Sequence, residues 1–139
     1  MSRPRELATP WLPFLLGCAV MAPSVAGGFL NWDDPYSVVH NTALLHGDWS
    51  QILSQVTIGI WHPVTLASFA LERRWLGPDA WHFHALNVLL HGLVSALALL
   101  WLRALHPTRP AVALCAALLF SVHPLHVESV AWISERKDL

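Results

Sequence analysis

Residues 80–102 read AWHFHALNVLLHGLVSALALLWL, a run without one Asp, Glu, Lys or Arg. An α-helix rises 1.5 Å per residue, so about 20 apolar residues cross the roughly 30 Å hydrocarbon core of a bilayer. This run is long enough to do so. Reading it as a transmembrane helix decides the fold class, because residues 7–32 and 110–127 are also free of those four charged residue types. Apolar residues make up 55% of the chain and charged residues 12%, about half the charged share of a soluble domain. The pattern predicts an all-α, polytopic membrane protein with spans over 11–30, 81–102 and 110–122.

The first stretch admits a second reading. Arg3 and Arg5, an apolar middle and the small residues Ser24-Val25-Ala26 also fit a signal peptide. Such a peptide has a shorter apolar core, about 7–15 residues, and two more spans follow here. An uncleaved helix is therefore expected, with Gly17, Gly27 and Gly28 permitting close helix contact. Cys18 and Cys115 sit inside apolar stretches as small hydrophobes. A net charge of −1, with no basic patch or zinc-finger spacing, excludes a nucleic-acid partner.

Residues 31–80 form a polar, irregular loop, in which 42–45 and 50–56 are expected as short helices along the membrane surface. Trp32, Tyr36, Trp49, Trp61, Trp75 and Trp81 suit the interface. A second segment runs from about 123, of which 125–139 is amphipathic and expected to be helical. Basic residues set orientation. Arg3, Arg5, Arg103 and Arg109 lie on one side, and Arg73, Arg74, Arg136 and Lys137 on the other. The second group is accompanied by acids, which favours a cytoplasmic amino terminus and places both polar segments outside the cytosol.

Three groups carry chemistry. Asp33 and Asp34 follow the first span; adjacent carboxylates at a membrane surface suit a general base, whereas Asp-Asp-Pro is equally a turn or helix cap. On the second span His84, Asn87 and His91 fall at i, i+3 and i+7, on one face. They read as interhelical hydrogen-bonding groups or as substrate contacts. The third group is His123, His126 and Glu128, followed by Glu135, Arg136, Lys137 and Asp138. If helical, it sets Glu128 and Glu135 on one face; it reads as a head-group site or as a self-neutralising surface helix. No metal site is complete in this pattern, although His123 and His126 have a suitable spacing.

The segments FLNWDDPY (29–36), WHPVT (61–65), FHALNVLLH (83–91) and HPLHVESVAWISERKD (123–138) together resemble the amino-terminal membrane region of the transmembrane and tetratricopeptide-repeat family. That family includes animal protein O-mannosyltransferases and many bacterial relatives. The resemblance covers nearly the whole chain, and the last segment is its most specific part. It implies the amino-terminal part of a GT-C type transmembrane helix bundle with extracytoplasmic juxtamembrane helices, further spans and tetratricopeptide repeats following downstream. It also implies a multi-pass protein of a cell membrane (bacterial inner membrane or endoplasmic reticulum).

The activity implied is transfer of a sugar from a polyprenyl-phosphate donor to an acceptor hydroxyl, on a protein or a glycan, at the extracytoplasmic face. The resemblance casts Asp33 or Asp34 as catalytic base and Glu128 as a second catalytic acid site. His84, Asn87, His91, His123, His126, Glu135, Arg136, Lys137 and Asp138 become substrate-binding candidates. A divalent cation is a candidate cofactor. The competing readings are a membrane anchor for a repeat domain and a metal or proton transporter using the histidines.

Overall fold

The fold is given by a computed structural model, which describes residues 10–139. The basic pair Arg3 and Arg5 lies outside the described residues. Seven α-helices are described: α1 (Trp11–Met21), α2 (Thr42–His46), α3 (Trp49–Ser54), α4 (Pro63–Leu76), α5 (Ala80–Leu105), α6 (Pro110–Ser121) and α7 (His126–Ala131). Short 3-10 turns extend α1 over Ala22–Ala26 and end the chain over Ile133–Asp138, and a π turn covers Pro35–Val39. The described residues are helical without a named strand, as expected of an all-α chain.

Among the described residues one helix, α5, is long and apolar enough to cross a membrane. Its pattern is inverted relative to a soluble helix. His84, Asn87, His91 and Ser95 are buried along one face, while Leu89, Leu93, Leu97, Leu100 and Trp101 stand exposed on the other. Polar groups turned inward beneath an apolar outer face are the arrangement lipid demands. The apolar helices Trp11–Ala26 and Pro110–Ser121 are shorter. The first stretch leaves the helix after Ala26 instead of continuing to residue 30, because a 3-10 turn with Pro23 near its start follows Met21 and Gly27 is extended (φ −71, ψ 159).

α1, α5 and α6 pack against one another. The α1–α5 approach depends on glycines: a Cβ at Gly17 would meet the His91 ring at 3.2 Å, and one at Gly92 would meet Cys18 Sγ at 2.5 Å. Gly27 abuts His84, whereas nothing lies within 4 Å of a Cβ at Gly28. At the far end of the bundle Leu99 is buried with Ala113 and Ala117 of α6.

The loop folds into short helices that share one core with α5 and the last segment. Asn41 caps α2 by accepting from the amides of Ala43 and Leu44, and Asp48 caps α3 through Gln51 N at 3.1 Å. α4 was not expected, yet it carries every helix signal: Pro63 in the first turn, Arg73 and Arg74 in the last, and Gly77 after it at φ 94. Val38, Leu44, Ile52, Leu66 and Phe69 of the loop bury themselves around Phe83 of α5 and Ile133 of the last segment. The loop core is thus closed by a residue from the end of the chain.

Candidate functional site

The two loop carboxylates separate sharply. Asp34 is fully buried. Its Oδ2 accepts from Leu30 N at 2.8 Å, and its Oδ1 accepts from Ser134 N at 2.9 Å and from the Ser134 hydroxyl. A carboxylate so surrounded holds two segments together. Asp33 beside it is half-buried, and its carboxylate makes no hydrogen bond among the described residues. Its main-chain carbonyl accepts from Tyr36 N and Ser37 N, which fixes the turn. Of the pair, Asp33 is the carboxylate left available to a ligand.

Ser134 reaches Asp34 because the last segment bends. Trp132 is extended (φ −98, ψ 115) between α7 and the final 3-10 turn. The continuous helix expected over 125–139 is therefore broken, and the i, i+7 register between Glu128 and Glu135 is interrupted. Glu128 stays exposed on α7. An open groove of about 530 Å³ lined by Leu30, Asn31, Trp32 and Trp132 lies beside the Asp33-Asp34 turn.

Arg136 points inward. Its Nε donates to Asn87 Oδ1 at 2.6 Å, Nη1 to Ser68 Oγ at 2.8 Å and to Glu72 Oε1, and Nη2 to the Phe83 carbonyl at 2.9 Å. The guanidinium also lies 4.5 Å from the Phe69 ring centroid. Burial lowers its pKa, and the Glu72 carboxylate opposes that shift. With four donor contacts made inside the fold, Arg136 fastens the last segment to α4 and α5. Asn87 serves the same knot, donating from Nδ2 to Val130 O at 3.2 Å.

Lys137 is less deeply buried than Arg136. It bridges Glu135 Oε2 at 2.7 Å and Asp138 Oδ2 at 3.1 Å. Burial pulls its ammonium down, but those two carboxylates together lift it above the ordinary lysine value. Burial raises the Glu135 carboxyl against the pull of Lys137, while contacts with Glu135 and Lys137 lower Asp138.

The histidines divide into two sets. His84 is buried, its Nε2 donating to Gly28 O at 3.3 Å, since a carbonyl only accepts, and its Nδ1 has no partner among the described residues. His91 Nε2 donates to Ser121 O at 3.0 Å and ties α5 to the end of α6. His126 lies tilted against Phe120 and His91, with ring centroids 4.3 and 5.2 Å away, and His123 lies 6.1 Å from it. Burial, then His91 and His123, holds His126 below the ordinary histidine value. Among the described residues no three His, Cys, Asp or Glu side chains are placed to hold a metal ion.

Glu72, Ser68 and Ser134 escaped the sequence reading. Glu72 sits in ERR (72–74), where it reads as a solvated helix charge; the helical spacing of Thr65, Leu66, Phe69 and Ala70 would have placed it on the buried face.

Comparison with known proteins agrees with the sequence motifs. The chain is 32% identical to the protein O-mannosyl-transferase Tmtc1 of Drosophila melanogaster, an alignment covering 90% of the chain and 16% of that protein. It is 31% identical to the mouse protein O-mannosyl-transferase TMTC1 (88% of the chain, 14% of that protein). It is 30% identical to mouse TMTC4 over 98% of the chain and 22% of that protein. The protein O-mannosyl-transferases are its homologues. The chain spans less than a quarter of the length of these O-mannosyl-transferases. No family model and no solved structure matches it.

Proposed function

We propose that the chain is the membrane-embedded amino-terminal region of a glycosyltransferase. It moves a sugar from a polyprenyl-phosphate donor to an acceptor hydroxyl, on a protein in the reading the O-mannosyl-transferase homologues favour. In this reading α1, α5 and α6 all cross the bilayer, with the amino terminus cytoplasmic, and the loop and last segment share the extracytoplasmic face. The observation that carries the proposal is the union of the Asp33-Asp34 turn with the Glu128-bearing segment through Asp34 and Ser134.

Asp33 takes the proton of the acceptor hydroxyl. The acceptor oxygen forms its bond to the anomeric carbon as the bond to the carrier phosphate breaks, with inversion, and the polyprenyl phosphate leaves with the electron pair. Asp34 is a positioning residue that holds the turn. Lys137 meets the departing phosphate by exchanging its contacts with Glu135 and Asp138 for phosphate oxygens, and Glu128 faces the same compartment. The described residues form no cage for a divalent cation.

General-base catalysis contributes about 10²–10⁴ in rate. Asp33→Asn is therefore expected to lower sugar transfer by that factor while membrane insertion and expression are retained. An unaltered rate would reject Asp33 as base. The anchor reading draws on a different observation, the complete use of Asp34 and Arg136 in holding the fold; it requires that Asp33→Asn change nothing.

A further inference from the structure

We propose that the cavity between α2 and α4 binds the phosphate-bearing headgroup of an anionic lipid, with Arg73 and Arg74 contacting the phosphate. The cavity has a volume of about 260 Å³, and Leu45, His46, Trp49, Ala70, Arg73 and Arg74 are among its walls. That is just below the roughly 300–1,000 Å³ of pockets for whole small molecules, so a headgroup fits and a complete sugar carrier does not.

Charge decides the ligand's sign. Among the described residues the ion pairs engage Glu72, Glu135 and Asp138, and none involves Arg73 or Arg74. Two guanidiniums without a carboxylate thus border one cavity, and a planar guanidinium matches phosphate oxygens two at a time. Position in the last turn of α4 accounts for cations on this helix. It does not account for the space held open between them and α2.

His46 refines the choice. Its Nδ1 lies 2.9 Å from Thr42 O; a carbonyl only accepts, so Nδ1 carries the hydrogen and Nε2 is an acceptor in the neutral ring. The site therefore matches a ligand with anionic oxygens and a nearby hydroxyl, as in a phosphoglycerol headgroup. A membrane source is argued by the rim: Leu45 and Trp49 line the cavity and are exposed, and Trp75 and Leu76 stand exposed beside Arg74. Exposed Trp next to Arg is the composition of a membrane interface. This site is independent of the transferase chemistry and shares with it only the setting in a bilayer.

The test places the protein in nanodiscs of equimolar phosphatidylcholine and phosphatidylglycerol and counts retained lipids by native mass spectrometry after stepwise delipidation. The expected result is preferential retention of phosphatidylglycerol, falling about thirtyfold in Arg73→Gln plus Arg74→Gln at about one surface charge's worth of attraction per residue. The Arg73→Lys plus Arg74→Lys variant keeps part of the preference. Leu45→Trp, which fills the cavity mouth without altering charge, is expected to abolish it. Circular dichroism checks that each variant folds, and Arg74→Gln, changing one exposed side chain, serves if the double variant does not. Equal retention in the double variant would overturn the site, as would an equal loss on replacing Arg109, on another loop, by Gln. Displacement by millimolar inorganic phosphate would make the occupant free phosphate and overturn the lipid assignment.

Discussion

Ser134 donates its amide and its hydroxyl to a single oxygen of Asp34, across 100 residues of sequence. No water-facing site is formed by this contact. It joins the turn bearing Asp33 to the segment bearing Glu128, and it makes Asp34 a structural residue.

Removing the carboxylate should cost more than removing the hydroxyl. Asp34→Ala strands the amides of Leu30 and Ser134 and is expected to destabilise by at least about 3 kcal/mol, since hydrogen bonds to charged groups contribute roughly 1.5–3 kcal/mol each. Ser134→Ala leaves the amide bond in place and should cost about 1–2 kcal/mol. Thermal unfolding in detergent measures both. Equal losses would show that the amide bonds carry little.

Arg136 should tolerate no partner loss. Glu72→Gln and Arg136→Met each leave the opposite charge buried, an event that costs about 3–5 kcal/mol. The pair should be non-additive, with Glu72→Gln plus Arg136→Met costing less than the sum. A double-mutant cycle on unfolding checks it, and strict additivity would contradict the buried pairing.

Gly92 sets the separation of α1 and α5. Gly92→Ala forces a methyl to within 2.5 Å of Cys18 Sγ and 3.0 Å of the Phe14 carbonyl, and overpacking of this kind costs about 1–3 kcal/mol. Adding Cys18→Ala should recover part of the loss. No recovery would locate the clash on the Phe14 backbone alone.

Stability should fall as the medium is acidified. Burial, then Lys137, lowers His62 from its ordinary value of 6.5, against a hydrogen bond with the Ile60 backbone. His126 is lowered from the same value by burial, then by His91 and His123. Below about pH 6.5 the unfolded chain takes up these protons while the folded chain still resists them, so the unfolded state gains as pH drops toward the folded values. Melting temperatures followed from pH 7.5 to 5 should decline, and His126→Phe should flatten the decline. A curve unaffected by that substitution would assign the effect elsewhere.

The sequence disclosed what is local and periodic. α5 and its polar stripe were readable because His84, Asn87 and His91 repeat at helical spacing inside an uncharged run. The caps at Asn41 and Asp48 leave short-range signatures of the same kind. What stayed hidden is long-range: Arg136 meets Glu72 and Asn87 at separations of 64 and 49 residues, and no local pattern records such pairings. The break at Trp132 was equally illegible, because VESVAWISERK (127–137) contains neither Pro nor Gly. Tertiary contacts at Ser134 and Arg136 override its helical propensity. For the same reason the pair Asp33-Asp34 read as one unit, although only one of the two oxygens-bearing groups is left free by the fold.

Ile133 gives the protein a schedule as well as a core. The loop leaves the ribosome well before the residue that fills its centre, and synthesis at about 5–20 residues per second puts several seconds between them. Throughout that interval the young loop has an empty seat and an Asp34 whose Oδ1 lacks its Ser134 donors, open to whatever chaperone or protease meets it. Maturation of this region is thus gated by translation of its far end, and a ribosome stalled between the two would leave a loop that cannot close.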